Sequence, residues 1–556
     1  MEESWECGKS RFLWFAGCVF HSARKMSVRL RTVKAKRTVR SNLLAMFPFA
    51  RKTDRANVGG EHVMSHPLLY EINTRCWLRE LSERHQRAIT LATVPDAEFA
   101  FWQRFGFTHI WLMGVWPTGP GARSIALNEP GLRRAYDEVL PGWRDEDVGG
   151  SPYSIAAYEV MPALGGGAGL KAFRAKLHQH GIKLILDFVP NHLGIDHEWV
   201  VKQPELFVQS ANALEGTFAQ KTPAGLCWIA NGKDPYFAPW TDVAQLDYRR
   251  TATRAAMQKL LLSIAARCDG VRCDMAMLLL NDVFAKTWAH LPANEPPPAS
   301  EFWSEVIPAV KRAQAGFLLM AEVYWGLEGR LQSLGFDYTY DKQLYDELIG
   351  RQHPCAQQQL LVAPPEYVAA SVHFLENHDE ARVAAKLSGE ENRAAALAIL
   401  GLPGMRFLHE GQLTGARLKL PVQLARRPLE PTQPEIRAAY EKLLTALKSA
   451  SVGRGQAQIL APRAAWDGNP TGQNFIIVQW QEKSPEFDLV VVNLASHHSQ
   501  CYVTLSAPGL AEHHWAMRDR LSEESYVRVG SDIAQQGLYL DLPAHGAQVF
   551  HFAPAA

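Results

Sequence analysis

From Leu68 onward the chain alternates between short apolar runs and longer stretches with helical spacing. Residues 68–73, 108–115, 183–189, 270–274, 317–322, 336–338, 372–375 and 405–408 read as eight strands. Helical spacing falls at 95–105, with Pro95 in the first turn, and at 170–180, 253–267, 392–400 and 434–447. Two long connections interrupt the rhythm. The first, 117–167, is polar and rich in Gly and Pro, and the second, 191–250, is rich in Trp, Phe, Tyr and Pro.

Apolar strands separated by helices make a parallel α/β sheet, and eight such units predict a (β/α)8 barrel with an insertion after strand 3. Both long connections follow strands, and strand C-terminal ends are where such a barrel gathers its functional groups. After residue 455 the pattern changes. Short β runs at 475–478, 489–492, 500–505, 537–542 and 548–552 have no helices between them, which predicts a small antiparallel β-sandwich. The expected division is a leader over 1–63, a barrel over 64–454 that includes the 191–250 insertion, and a C-terminal β-sandwich over 455–556.

Composition adds little to the fold but separates off the leader. The net charge over 556 residues is +1, yet 1–63 holds thirteen Lys/Arg against five Asp/Glu, leaving the remainder at −7. The body therefore gives no argument for nucleic-acid binding. The leader reads as a disordered basic segment, with translation from Met64 as another reading. Its run 24–40 has no acidic residue, as in a transit peptide, whereas Glu2, Glu3 and Glu6 fit such a peptide poorly. The eight cysteines are scattered and form no Cys-x-x-Cys pair, so a reducing, cytoplasmic setting is the expectation. No later apolar run reaches the roughly 18 residues of a membrane span. Oligomeric state is not legible.

Candidate chemistry sits at four strand ends. The third strand ends in Asp187-Phe188-Val189-Pro190-Asn191-His192, and the fourth gives Gly270-Val271-Arg272-Cys273-Asp274. The fifth ends in Ala321-Glu322, and the seventh in Glu376-Asn377-His378-Asp379. Alternation puts Arg272 and Asp274 on one face, where the cation favours the ionised carboxylate. Taken alone that pair also fits a structural ion pair, and a lone His192 or His378 fits a surface histidine. Three carboxylates converging in one mouth with an arginine and two histidines are harder to explain by structure, because like charges repel.

These four stretches, in this order, resemble the four short motifs of the α-amylase superfamily, glycoside hydrolase family 13. Residues 150–158 resemble that family's Tyr-containing stretch after the second strand, and 402–412 the end of its eighth strand. The resemblance implies a catalytic barrel, an insertion after the third strand and a C-terminal β-sandwich. It implies a retaining enzyme that cleaves α-1,4 bonds of an α-glucan or maltooligosaccharide through a glycosyl-aspartate. By that resemblance Asp274 is the nucleophile, Glu322 the general acid/base, and Asp379 the residue that holds ring hydroxyls. Arg272 keeps Asp274 ionised, and His192 and His378 hydrogen-bond the sugar. Tyr153 stacks on the same ring, with Asp187 and Asn191 as supports.

Retention requires the Asp274 and Glu322 carboxyls to stand about 5–5.5 Å apart, whereas a separation near 9 Å would mean inversion. Two departures stand out. Met277 and Leu278 occupy the positions of a Lys-His pair that many α-amylases use for the leaving-side sugar and for calcium, and Ala157 precedes Tyr158 where the family often has Asp. No cofactor is called for, no metal ligands are assigned, and calcium is left open. A transglycosylase of the same superfamily, of glucano- or maltosyltransferase or trehalose-forming type, is the alternative. A catalytically silent carbohydrate-binding protein is a third reading.

Overall fold

The computed structural model describes residues 66–223, 225–291, 295–296 and 298–555. The leader reading and Met64 lie outside the described residues. Eight parallel strands close into a barrel: β1 Leu68–Asn73, β2 His109–Met113, β3 Lys183–Phe188, β4 Gly270–Cys273, β5 Leu318–Ala321, β6 Tyr338–Tyr340, β7 Ser371–His373 and β8 Met405–His409. Each strand pairs with its sequence neighbours, and β1 closes the ring against β8 with Glu71 opposite His409. The strand expected at 336–338 lies two residues later. Phe336 instead packs edge-on against Trp303, centroids 4.7 Å apart, while Tyr338 and Tyr340 fill the barrel interior.

The inward face changes character along the strands. Leu69, Ile185 and Phe407 pack inside the barrel. Two residues further on, on the same face, stand Glu71, Asp187 and His409. The register sets Arg272 between Asp187 of β3 and Met320 of β5. The C-terminal mouth is therefore lined by polar groups resting on an apolar plug.

The insertion after β3 is an antiparallel sheet. His192–Gly194 pairs with Trp240–Gln245, which pairs with Gly225–Gly232, and Thr217–Thr222 adds a hairpin. Gly194 lies so near the 154–155 backbone that a Cβ there would stand 2.9 Å from the Ser154 carbonyl oxygen. The connection after β2 departs from the expected polar loop, since it contains two helices, Pro120–Asn128 and Pro130–Val139. The prolines that read as loop residues stand at helix starts, where a missing N–H costs nothing. Asp196 of the insertion caps the first of these helices, accepting from the Gly121 and Ala122 N–H groups at 3.0 and 2.9 Å.

The C-terminal region forms a six-stranded and a three-stranded antiparallel sheet. Four of their strands, Gln456–Ile459, Pro462–Ala464, His514–Asp519 and Ser525–Val529, were not legible as β runs, because Pro462–Ala464 is only three residues long and the others break up their apolar residues with polar ones. The helix Gly389–Gly401 shows why its sequence is barely amphipathic: every residue from Ala394 to Gly401 is buried. Its C-terminal end meets the sandwich. Trp480 donates its indole N–H to the Gly401 carbonyl at 2.8 Å and meets the His66 ring edge-on at 5.0 Å. Among the described residues no helix is long and apolar enough to cross a membrane.

Trp480 is fully buried at this seam. Its replacement in Trp480→Ala is expected to destabilise the fold by about 3–5 kcal/mol. Urea denaturation checks this, and a loss below about 1 kcal/mol would mean that the seam relaxes around the cavity.

Candidate active site

Arg272 organises the mouth. Its side chain is wholly buried, with Nη1 2.5 Å from Asp274 Oδ1 and Nη2 2.8 Å from Glu322 Oε2. The second contact is an ion pair by distance, but its angle does not make it a hydrogen bond. The guanidinium carbon lies 5.4, 5.2 and 5.8 Å from the ring centroids of Trp111, Tyr153 and Tyr340, so aromatic faces box the cation in. Two acceptors on the two terminal nitrogens of one rigid fork stand side by side.

Two donors hydrogen-bond Glu322. Its Oε2 accepts the Met275 backbone N–H at 2.7 Å, and its Oε1 accepts the Tyr324 hydroxyl at 2.7 Å. Met275 takes a left-handed backbone with φ 44°, uncommon for a non-glycine residue. Burial pushes the Glu322 carboxyl up to about 7, with Asp274 and Asp379 adding to the rise and Arg272 opposing it. Burial also raises Asp274 above the usual carboxylate range, against the pull of Arg272.

Asp379 behaves in the opposite sense. Its Oδ2 lies 2.8 Å from His378 Nε2, and its side chain is 47% exposed. Burial alone would raise the Asp379 carboxyl, but the His378 ion pair, helped by Arg272 and Lys419, outweighs it and holds Asp379 well below the usual range. On its other nitrogen, Nδ1, His378 meets Glu71 Oε1 at 2.5 Å. Burial alone would lower the His378 pKa, but Asp379 and Glu71 outweigh it and raise it to about 10. The Tyr153 hydroxyl lies 2.7 Å from His378 Nε2, and its ring stacks on the imidazole with centroids 5.3 Å apart.

Seven of the nine predicted residues thus stand in one contact network: Asp274, Glu322, Asp379, Arg272, His378, Tyr153 and Asp187. Asp187 accepts from the Trp111 indole at 3.1 Å and the Gly114 N–H at 3.3 Å, and burial raises its carboxyl to about 7. Asn191 stands one step away, and His192, the first residue of the insertion's first strand, reaches the network through the Tyr153 backbone. Burial lowers His192 to about 4, leaving it neutral, and its ring lies 5.3 Å from Trp240. Asn191 makes a reciprocal amide pair with Gln245, donating at 3.2 Å and accepting at 3.1 Å.

That pair bears on calcium. Ca²⁺ needs six to eight oxygen ligands, several of them carboxylate. Here the Asn191 side-chain oxygen is taken by Gln245, and the nearby Asp247 carboxylate is forked by Arg249 at 2.7 and 2.9 Å. The residues do not fit a calcium site, and no step below runs through one.

Four participants escaped the sequence reading: Glu71, Trp111, Tyr324 and Tyr340. Glu71 left one trace, a lone acid within an apolar strand. A further aromatic pair lies three residues along the chain from Glu322, where exposed Trp325 meets exposed Tyr236 edge-on with centroids 5.0 Å apart.

A closed parallel barrel with a carboxylate-lined mouth, an insertion after β3 and C-terminal antiparallel sheets defines the α-amylase class of fold. Residues 101–344 match the family model described as the α-amylase catalytic domain, a stretch that includes three of the four motifs. Among curated relatives, α-amylase MalA of Haloarcula japonica is 25% identical over 272 residues, covering 47% of this chain and 36% of that protein. α-Amylase 3 of Dictyoglomus thermophilum is 23% identical over 307 residues, covering 51% of this chain and 57% of that protein. The chain thus spans between about a third and three fifths of the lengths of these relatives. Among solved structures, the maltogenic α-amylase AmyB of Thermotoga neapolitana superposes with a TM-score of 0.61 at 19% identity, over 88% of this chain and 99% of that one. The Geobacillus thermoleovorans α-amylase, complexed with acarbose, gives 0.61 at 17% identity, over 89% and 100%. At these identities the structures show the fold.

The His378 clamp gives a test. His378 favours the folded chain below its unfolded value near 6.5, and that contribution is lost as pH rises through about 10. Glu71→Gln removes one of the two carboxylates and is expected to lower the His378 pKa by about one unit or more. An NMR titration of the imidazole reads this, and an unchanged value would contradict the clamp.

Proposed function

We propose that this chain is a retaining glycoside hydrolase acting on α-glucans, cleaving α-1,4-glucosidic bonds through a glycosyl-aspartate. The observation that carries the reading is the pair of carboxylates sharing one buried guanidinium, with the Glu322 carboxyl raised to about 7. Side-by-side placement on one fork suits the short separation of about 5–5.5 Å that retention uses.

Asp274 attacks the anomeric carbon and forms an ester with the sugar. Glu322 gives its proton to the departing glycosidic oxygen, then takes one from the water that hydrolyses the ester. Arg272 stabilises the carboxylate charge at Asp274 before attack and as the ester breaks. Asp379, held ionised by the His378 cation, accepts hydrogen bonds from the ring hydroxyls. Neutral His192 and the Tyr153 ring complete the walls around that ring. The names of the relatives, α-amylase among them, support this substrate class.

Transfer to a sugar acceptor is the second reading, and two observations favour keeping it. Met277 and Leu278 are buried and apolar, so neither offers a polar contact to a leaving sugar. The exposed Trp325–Tyr236 pair, whose Trp325 lies three residues beyond Glu322 in the chain, offers an aromatic face on which an acceptor ring can stack.

Maltoheptaose is the test substrate for the full chain. Reducing ends that rise while only shorter chains appear indicate hydrolysis, and longer chains without new reducing ends indicate transfer. Asp274→Asn is expected to lower turnover by about a thousandfold or more under either reading. A variant that keeps wild-type turnover would remove Asp274 from the chemistry.

Turnover is also expected to fall as pH rises through about 7, where Glu322 loses its proton. Tyr324→Phe removes a hydrogen bond that favours the charged form of Glu322, so the alkaline limb of the pH–rate profile should move upward. An unmoved limb would detach that limb from Glu322.

A further inference from the structure

On the side of His378 and Asp379 the mouth is bordered by a chain segment that follows β8. This segment, residues 416–427, is a strap that comes after the short helical turn Gln412–Thr414. The second half of this strap is tied down. Arg75 donates to the Val422 carbonyl at 2.8 Å, and Gly149 N–H donates to the Gln423 carbonyl at 2.8 Å. Leu424 is fully buried against the helical pair that follows β2, in a cluster with Ala126 and Tyr136. Arg426 forks the buried Asp147 carboxylate at 2.8 and 2.6 Å. Arg427 lies between Glu80 at 2.6 Å and Glu410 at 2.9 Å.

Under the strap the molecule is nearly full. The space bounded by Asn73, His378, Arg382, Glu410, Lys419 and Arg427 is about 20 Å³. One water needs roughly 10–15 Å³ on this measure, so a sugar ring has no room there. Both arginines around it are already paired, Arg382 with Glu376 at 2.7 Å and Arg427 with its two glutamates. At the rim, the Lys419 ammonium donates to the backbone carbonyl of Asp379. Its side chain therefore crosses the edge of the site beside the group assigned to the ring hydroxyls. Three residues beyond Glu322 in the chain, Trp325 is 40% exposed, and its ring partner Tyr236 is 59% exposed.

We infer that the strap ends the site one sugar beyond the scissile bond, so that the enzyme takes single glucosyl units from the non-reducing ends of α-glucans. The inference rests on the reading of Asp274 and Glu322 as the catalytic pair. By that reading the acid stands on the leaving-group side, away from the strap, so the strap sets no limit on the length of the leaving chain. The glycone lies between Asp379, His378 and Tyr153, and the strap leaves no path for a second glycone sugar. A bond in the middle of a chain would need two or more sugars where the strap lies.

The experiment compares maltoheptaose with maltoheptaose whose non-reducing end carries a 4,6-O-benzylidene acetal, using the full-length enzyme and following the first products. Glucose with maltohexaose, or under transfer a chain one unit longer, is the expected first product from the free substrate. Turnover of the blocked substrate is expected to fall by at least about a hundredfold. Maltose or longer fragments as first products, or comparable turnover of the blocked chain, would overturn the inference while leaving the glucan-cleaving reading intact. If p-nitrophenyl α-glucoside and both heptaoses are all left uncleaved, the reading of the catalytic pair falls, and this inference with it.

Discussion

A buried cation holding two carboxylates is the constraint on which the mouth depends. Arg272 has no contact with water, and an isolated guanidinium in that place would be very costly. Asp274 and Glu322 compensate it, and the rings of Trp111, Tyr153 and Tyr340 surround it. The same burial that makes the cation dependent on its partners raises both carboxyls, and Glu322 reaches the range in which an acid works near neutral pH. Replacing Arg272 would leave two buried acids facing each other, so the geometry of the mouth depends on it.

A second charge arrangement faces the first across the mouth. Glu71, His378 and Asp379 form a line in which the central imidazole is held as a cation. One carboxylate is thereby kept ionised at the edge of the mouth while another, Glu322, is kept near its midpoint. Opposite pKa directions within one site are what separate a charge-bearing support from a proton donor. The barrel makes this possible because its register turns an apolar interior into a polar rim within two residues of each strand.

Much of this was legible in the chain. Arg272 and Asp274 are two residues apart on a strand, so strand alternation alone puts them on one face. Asp187, Glu322 and Asp379 follow apolar runs, and the eightfold rhythm gathers strand ends into one mouth. Glu71 was illegible as a partner because it lies 307 residues from His378, and only barrel closure brings them together. Tyr324 adjoins a named motif, but its contact with Glu322 depends on how the chain turns after β5. The helices Pro120–Asn128 and Pro130–Val139 read as loop because proline at a helix start and proline in a turn look alike without the N-cap contacts. The strap was likewise invisible, since its rigidity comes from partners such as Asp147, far back in the sequence.

The claim that Asp274 bonds covalently to the sugar is tested most directly by trapping. A 5-fluoro-α-glucosyl fluoride slows breakdown of the ester more than its formation, so the enzyme accumulates as the glycosyl-enzyme. Intact mass followed by peptide mapping is expected to show one fluoroglucosyl adduct on the peptide that contains Asp274. An adduct on a different carboxylate, or turnover of glucans by an enzyme that shows no adduct at any reagent concentration, would contradict the account.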